Sequence, residues 1–243
     1  MRAVHPQGRS GTGRARRPLG GQRQDRVRAA LMTRDGVRGM SGATIWLTGL
    51  PSAGKTTIAR ALAGRLRGEG HRVEVLDGDE IREFLSAGLG FSRADRDTNV
   101  RRIGFVARLL ASHGVTVLVP VIAPYADTRE EVRKHHQEHG TGYVEVHVAT
   151  PVEVCSVRDV KGLYARQAAG QLSGLTGVDD PYEAPAEPDL RIEAHRQSVE
   201  ESAGALHALL TGRGCCDVRE RRARSLRPVP PRRPGVGGGA HLP

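Results

Sequence analysis

The feature that most constrains this chain is a glycine-containing loop between a short apolar run and a helix-like segment. Residues 49–56 read Gly-Leu-Pro-Ser-Ala-Gly-Lys-Thr and follow the apolar run 44–48. The pattern G-x-x-x-x-G-K-[ST] is typical of a loop whose backbone N–H groups bind phosphate oxygens at a helix N-terminus. In that pattern Lys55 reaches the β- and γ-phosphates and the Thr56 hydroxyl binds Mg²⁺. The sequence therefore predicts nucleoside triphosphate binding, in preference to an incidental glycine-rich turn.

Apolar or β-branched runs alternate with helical patterns from residue 43 to 211, which predicts a parallel sheet with helices on both faces. The expected fold class is α/β, with a P-loop NTPase-type parallel sheet and a lid segment. Strands are predicted at about 44–48, 72–76, 115–121, 143–148 and 189–193. Helices are predicted at about 55–68, 79–86, 95–113, 127–139, 151–158 and 196–211. Residues 159–188 have weak periodicity, and so long a loop inside a domain is expected to be functional, as a lid.

The two ends of the chain differ in composition from the middle. Residues 1–40 contain ten Arg and two Asp, and residues 213–243 contain eight Arg, one Asp and one Glu. Because the net charge of the whole chain is +10, the part between the ends is mildly acidic. We expect one folded domain at 41–212, flanked by disordered Arg-rich extensions at 1–40 and 213–243.

The Arg-rich ends suggest contact with nucleic acid or with a membrane surface, but solvated tails are favoured. They carry almost no aromatic side chains for base stacking, so a nucleic-acid partner is not expected. Met40 directly precedes the domain, so residues 1–39 are interpreted as an upstream extension, with an organelle transit peptide ranked last.

The cysteine count and the hydropathy predict a cytoplasmic location without a membrane partner. No apolar run approaches the ~18 residues of a membrane span, and no secretory signal follows the N-terminus. The three cysteines, Cys155, Cys215 and Cys216, are odd in number and include an adjacent pair, so a disulfide framework is not expected.

Carboxylates follow the second predicted strand, in the run Val-Leu-Asp-Gly-Asp at 75–79. Side chains at the carboxyl ends of parallel strands point into the ligand crevice. There Asp79 can hold Mg²⁺ or accept a proton from an attacking hydroxyl. The alternative is that Asp79 caps a helix starting at Glu80, and the catalytic role is favoured. The chain lacks a guanine-recognition signal and an apolar strand ending in Asp-Glu, which argues against GTPases and motor ATPases.

One of only three Phe residues lies in the polar segment 90–102. Phe91, beside Arg96, Asn99 and Arg101, suits a planar anionic ligand, because an aromatic ring stacks on a base and guanidinium groups bind phosphate or sulfate. On residue types alone, a Phe91 side chain buried in the core is an equally good interpretation.

Four segments, at 77–79, 90–102, 154–164 and 176–185, resemble the adenylyl-sulfate kinase (APS kinase) family, and the resemblance extends in order over about 42–211. It implies an enzyme that requires ATP and Mg²⁺ and is usually a dimer. Such an enzyme transfers the γ-phosphate of ATP to the 3′-hydroxyl of adenosine 5′-phosphosulfate, giving 3′-phosphoadenosine 5′-phosphosulfate (PAPS) and ADP. Functional coupling to sulfate adenylyltransferase is a further implied partnership.

The resemblance also implies a set of site residues, with Lys55 and Asp79 as catalytic residues and Thr56 as the metal ligand. The residues implied for ATP are Gly49, Ser52, Ala53, Gly54, Lys55, Thr56, Thr57 and Arg158. The residues implied for the acceptor are Asp79, Arg82, Phe91, Arg96, Asn99, Ile122, Ala123, Lys161 and Leu175. Lys161 would lie on the lid, whose closure excludes water so that the phosphoryl group reaches the ribose.

Three residues depart from the family pattern. Ala123 stands where the family usually has the Ser of Ile-Ser-Pro, so no phosphoserine can form and direct in-line transfer is expected. Leu175 stands where the family usually has Phe, and losing one aromatic stack costs ~1–3 kcal/mol of binding. Thr98 replaces a usual Glu. Two alternatives follow: a kinase for a related small acceptor, and a non-catalytic nucleotide-binding partner of sulfate adenylyltransferase.

Two other groups are assigned structural roles. His135, His136 and His139 are expected on a polar helical surface and not at a metal, because adjacent residues point to different faces of a helix. Cys155 lies on an apolar helical stripe and is expected in the core.

Overall fold

The computed structural model describes residues 42–213, and five strands and seven helices lie within that range. The strands are β1 Ala43–Thr48, β2 Val73–Val75, β3 Thr116–Pro120, β4 Gly142–Val148 and β5 Leu190–Ile192. The helices are α1 Lys55–Gly68, α2 Gly78–Phe84, α3 Arg93–Ser112, α4 Ala126–Glu138, α5 Val152–Arg158, α6 Leu163–Ala168 and α7 Val199–Gly212. None of these helices is long and apolar enough to cross a membrane.

The strands form one sheet in the order β2-β3-β1-β4-β5, and every neighbouring pair is parallel. The predicted α/β class is therefore confirmed. All six residues of β1 are buried, as expected of a strand covered on both faces. The loops that follow β1, β2 and β3 leave from the same carboxyl edge, where open α/β sheets bind their ligands.

Two apolar clusters cover the two faces of the sheet. Along β1, Ile45 and Leu47 join the cluster that contains the buried residues of α1 and α7. Trp46 points the other way, into the cluster that contains residues of α3 and α4. This alternation follows from the period of two of an extended strand, and it fixes β1 and the loop after it in the centre of the domain.

The segment 159–188 is less irregular than predicted, because α6 lies within it. Six residues span fewer than two helical turns, too few to produce a clear apolar periodicity. Tyr164 of α6 is buried, and its hydroxyl donates to the Pro51 carbonyl at 3.2 Å. The other predicted elements are present with boundaries that differ by at most three residues. The last helix begins at Val199 because Ser198 forms a capping box with Glu201.

The prediction that His136 belongs to a polar surface is wrong. Its side chain is fully buried; Nδ1 lies 2.8 Å from the Val132 carbonyl and Nε2 lies 2.9 Å from the Thr44 hydroxyl. Burial lowers the pKa of His136 from 6.5 to about 4. Cys155 is buried as predicted. The predictions for residues 1–40, for the tail after residue 213 and for Cys215 and Cys216 lie outside the described residues.

Candidate active site

The phosphate loop joins the carboxyl end of β1 to the amino end of α1. Gly54 has a φ of 104° and Ser52 a φ of 59°, backbone conformations that L side chains rarely adopt. Ala53 is fully buried, and its carbonyl accepts a hydrogen bond of 2.8 Å from the Thr150 hydroxyl. Helix α1 has no acidic residue in its first turn, so its partial positive charge remains available to an anion.

Lys55 lies folded across this loop. Its ammonium donates to the carbonyls of Gly49 at 2.9 Å and Leu50 at 2.7 Å, and only 8% of the residue is exposed. Burial lowers the pKa of Lys55 from 10.5 to about 7, and the positive charge of Lys161 acts in the same direction. A bound phosphate would favour the charged form, so this lysine is expected to take up a proton when nucleotide binds.

The sequence left two roles open for Asp79, and the structure decides against the capping role. Helix α2 begins at Gly78, and its N-cap is Asp77, whose carboxylate accepts from the Asp79 backbone N–H at 3.1 Å. The Asp79 side chain is therefore free of capping and is 70% exposed. It accepts a hydrogen bond from the ammonium of Lys161.

Lys161 reaches Asp79 from the loop between α5 and α6. That loop also contacts the phosphate loop, because the Val160 N–H donates to the Ser52 hydroxyl at 3.2 Å. The Asp159 carboxylate accepts from two backbone N–H groups of α6 at 2.9 and 3.1 Å and so fixes the turn. Three of the predicted functional side chains, those of Lys55, Asp79 and Lys161, are thus brought together at the carboxyl edge of the sheet.

Phe91 lies at the surface and not in the core, so the alternative of a buried Phe91 is wrong. It is 63% exposed, and the Arg82 guanidinium carbon is 4.2 Å from its ring centroid. Arg82 also donates to the carbonyls of Leu89 and Gly90. An aromatic ring held by a guanidinium group and open to solvent is a suitable platform for a planar base.

Arg96 is almost completely buried behind Phe91. Its Nε donates to the Phe91 carbonyl at 2.8 Å, Nη1 to the Thr176 hydroxyl at 2.7 Å, and Nη2 to the Gly174 carbonyl at 2.6 Å. In this conformation Arg96 therefore binds protein groups of the loop before α3 and of the lid segment. The contact with the acceptor that the family resemblance implied for Arg96 stays a prediction.

The remaining acceptor-side residues lie on α3 and after β3. The Asn99 side-chain oxygen is buried and has no hydrogen-bond partner among residues 42–213, so it is available to a ligand donor after a small movement. The Ile122 carbonyl accepts a hydrogen bond from the Thr48 hydroxyl. Ala123 has a φ of 43°, and its carbonyl accepts from Arg129 at 2.8 Å. Direct ligand contacts of residues 122 and 123 stay predictions.

The sequence matches the protein family described as Adenylylsulphate kinase over residues 41–193. The chain belongs to the adenylyl-sulfate kinase family. A probable adenylyl-sulfate kinase of Synechocystis sp. is 54% identical over 166 residues, which cover 68% of this chain and 91% of that one. The adenylyl-sulfate kinase of Myxococcus xanthus is 51% identical over 178 residues, covering 73% of this chain and 96% of that one.

Solved adenylyl-sulfate kinases share the fold. The Mycobacterium tuberculosis enzyme in complex with AMPPNP and APS has a TM-score of 0.69 and 44% identity, and the match covers 70% of this chain and 98% of that one. A hexameric APS kinase from Thiobacillus denitrificans has a TM-score of 0.59 and 35% identity, with 79% of this chain and 33% of that one covered.

Two of the departures from the family pattern can be placed in this adenylyl-sulfate kinase. Leu175 is buried in the core cluster that also contains Val148 and Tyr164, so in this conformation it does not form an exposed aliphatic partner for a base. The Thr98 hydroxyl donates to the Ala94 carbonyl one turn earlier at 2.8 Å, a local helix contact.

Arg158 is exposed, and its guanidinium donates to the Ala194 carbonyl at 3.2 Å beside the phosphate loop.

The residues of this adenylyl-sulfate kinase fit Mg²⁺ in the manner usual for that ion. Thr56 and Thr57 lie in the first turn of α1, half-buried and exposed. Within 42–213 there is no cluster of three or more His, Cys, Asp or Glu side chains that could hold a metal alone. Magnesium commonly uses one or two protein oxygens together with substrate phosphates and water, so the Thr56 hydroxyl is a suitable protein ligand.

Sequence reasoning missed a cavity of about 670 Å³ between the carboxyl end of β4 and the lid segment. Its lining includes Leu50, His147, Asp180 and Tyr182 and none of the predicted site residues. These residues come from the phosphate loop, from β4 and from the lid segment, and no sequence pattern connects the three parts. Burial lowers the pKa of His147 from 6.5 to about 4, with Arg191 acting in the same direction, so a neutral imidazole faces this cavity.

Proposed function

We propose that this adenylyl-sulfate kinase transfers the γ-phosphate of ATP directly to the 3′-hydroxyl of adenosine 5′-phosphosulfate. The observation that supports this proposal best is that three charged side chains from separate segments lie together at the carboxyl edge of the sheet. Lys55 lies at the end of the phosphate loop, Asp79 in the first turn of α2 and Lys161 in the lid segment. A phosphate-binding loop alone would suit many acceptors, whereas this set places a carboxylate and a second cation next to the loop that holds the transferred group.

In this proposal the chain binds, orients and shields the reactants. The phosphate-loop amides and Lys55 bind the β- and γ-phosphates. Thr56 would help to hold Mg²⁺, which would supply further positive charge at these phosphates. Asp79 accepts the proton of the 3′-hydroxyl as its oxygen forms a bond to the γ-phosphorus and the bond to the β,γ-bridging oxygen breaks. The proton then passes to solvent, and ADP and PAPS are released.

One feature supports direct transfer without a phosphorylated enzyme, and a second supports shielding of the transferred group from water. Ala123 has no hydroxyl to be phosphorylated, and it is buried. The lid already contacts the phosphate loop through Val160, so closure requires no docking of a distant segment. Exclusion of water by the lid would favour the ribose hydroxyl over hydrolysis.

We also propose that the enzyme is a cytoplasmic homodimer that is functionally coupled to sulfate adenylyltransferase. The odd number of cysteines supports the reducing location, and the hexameric relative supports self-association. Size-exclusion chromatography with light scattering on the full chain tests the dimer, and co-purification with sulfate adenylyltransferase tests the coupling.

The decisive experiment measures ADP release by the full chain with ATP and Mg²⁺, with and without adenosine 5′-phosphosulfate. We expect ADP release that depends on the acceptor, stoichiometric formation of PAPS, and loss of both in Lys55→Ala. Slow ATP hydrolysis at a rate that does not depend on the acceptor would contradict the proposal, and a screen of small hydroxyl acceptors would then be needed. Nucleotide binding without any turnover would favour a non-catalytic partner of sulfate adenylyltransferase.

A further inference from the structure

Asp180, near the end of the lid segment, makes contacts that connect two distant parts of the domain. Its carboxylate accepts a hydrogen bond from the Tyr125 hydroxyl, with oxygen distances of 3.2 and 3.3 Å. It also lies 3.8 Å from Nε of Arg96. Tyr125 is 2% exposed and Arg96 is 8% exposed, so both partners are held by packing. Asp180 therefore joins the lid to the residues that follow β3 and to α3.

Arg96 extends this connection to the acceptor side of the site. The same guanidinium that faces Asp180 donates to the Phe91 carbonyl and lies with its carbon 5.8 Å from the Phe91 ring centroid. Its two other donor groups bind Gly174 and Thr176. A change in the orientation of Arg96 would therefore move the backbone of Phe91 and release residues 174–176 of the lid segment together.

The neighbouring Asp179 has a different and purely local role. Its carboxylate accepts from the Gly174 N–H at 2.8 Å and from the Leu175 N–H, within the same loop. The loop closes on itself through the Gly177 N–H, which donates to the Asp180 carbonyl at 2.7 Å. Asp179 thus shapes the loop, whereas the Asp180 carboxylate bonds outward to the rest of the domain.

We propose that Asp180 is a positioning residue of the acceptor site, acting through Arg96 and Tyr125 on Phe91. This inference rests on the proposed function, because it takes Phe91 as the platform for the acceptor base. The carboxylate does not touch the acceptor. It places a negative charge 3.8 Å from Nε of a nearly buried guanidinium and so favours the orientation in which Arg96 binds Phe91, which preorganises the Phe91 loop before the acceptor binds.

The contacts predict that loss of the Asp180 carboxylate changes the affinity for the acceptor more than the affinity for ATP. The Asp180 carboxylate contacts neither Lys55 nor the phosphate-loop amides, so ATP binding should change little when the carboxylate is lost. Acceptor binding should weaken, because part of the binding free energy is then used to order Arg96 and the Phe91 loop. A residue that only stabilised the fold would lower the melting temperature without this difference between the substrates.

The experiment compares Asp180→Ala, Asp180→Asn and Tyr125→Phe with the full-length parent chain. We expect the KM for adenosine 5′-phosphosulfate to rise about tenfold in Asp180→Ala, with the KM for ATP and the kcat at saturating acceptor changed by less than about threefold. Asp180→Asn and Tyr125→Phe should each show a smaller rise, because each retains one of the two outward contacts. Glu130→Gln is the matched control, since it removes an exposed ion pair with Lys134 within α4, outside the candidate site.

Binding of adenosine 5′-phosphosulfate, measured by calorimetry on variants shown by circular dichroism to be folded, gives a second readout that does not need turnover. Equal increases in both KM values, or an unchanged acceptor affinity with a lowered melting temperature, would overturn the positioning role. These outcomes presuppose that the parent chain turns over the acceptor; a parent chain without acceptor-dependent ADP release would instead contradict the proposed function.

Discussion

The lowered pKa of Lys55 makes nucleotide affinity depend on pH in a direction that can be worked out. In the free protein the pKa of this lysine is about 7, mainly because the ammonium is buried, so at pH 8 about nine in ten molecules carry a neutral Lys55. The triphosphate binds the charged form, and each bound nucleotide therefore draws one proton onto those molecules. Affinity should be greatest near and below pH 7 and should fall as the pH rises above the pKa of the free protein.

The size of this effect follows from the same value. If the bound phosphates keep Lys55 protonated up to pH 9, the dissociation constant rises about 25-fold between pH 7.5 and pH 9. This window avoids the terminal phosphate of the nucleotide, which titrates near pH 6. Proton uptake should approach about 0.9 per nucleotide at pH 8.

Titration calorimetry of the full chain with ATP and Mg²⁺, in the absence of acceptor, measures both quantities. Buffers of different ionisation enthalpy give the proton uptake, and Lys55→Arg is the control, because a guanidinium stays charged throughout this range. The pH dependence should disappear in that variant even if its affinity is lower. An affinity that is constant from pH 7.5 to 9 in the parent chain, without proton uptake, would refute the reasoning.

Three further predictions concern packing, the acceptor platform and a buried histidine. Gly177→Ala should lower the free energy of unfolding by about 1–3 kcal/mol, because φ is +89° and a Cβ would collide with the Leu50 side chain; in urea titrations Gly170→Ala, at a φ of +69° with open space, should lose less. Phe91→Leu should raise the acceptor KM about 5- to 150-fold, which corresponds to the ~1–3 kcal/mol of a lost stack. Phe84→Leu, at a residue that is 75% exposed, should leave the KM unchanged, and equal effects would argue against a specific platform. The pKa of His136 falls from 6.5 in the unfolded chain to about 4 in the folded one, so its contribution to stability is complete above pH 6.5 and is lost as the pH falls toward 4. The difference between the free energies of unfolding in urea at pH 7 and pH 5 should therefore be smaller in His136→Gln than in the parent chain. An undiminished difference would contradict this assignment.

The sequence was sufficient for the sheet and for the phosphate loop because both are encoded locally. The continuous burial of β1 and β3 gives apolar runs, and the loop motif requires Gly, Lys and Thr at fixed spacing within eight residues. The same holds for the ends of some helices. Ser92 and Ser198 each accept a hydrogen bond from the N3 backbone N–H, a local pattern that can be recognised in a sequence.

Contacts between distant segments could not be predicted in this way. Polar residues such as His136 and Arg96 would be assigned to the surface on composition alone, yet both are buried because donors or acceptors from other elements satisfy them. Asp77 and not Asp79 is the helix cap because α2 begins at Gly78, two residues before the start at Glu80 that the sequence suggested. Such a shift is smaller than the accuracy with which a pattern locates a helix end.

The four residues that the phosphate-loop motif leaves unspecified explain why the motif predicts phosphate binding but not the acceptor. Leu50 packs against Gly177, the Pro51 carbonyl accepts from Tyr164, and the Ser52 hydroxyl accepts from Val160. Ala53 binds the Thr150 hydroxyl through its carbonyl. The glycines, Lys55 and Thr56 are expected to be constrained by phosphate binding, whereas residues 50–52 contact the lid segment. The lid also carries Lys161, which the family resemblance implies for acceptor binding. The variable positions 50–52 are therefore linked to the acceptor through the lid, and their role can be recognised only from the folded structure.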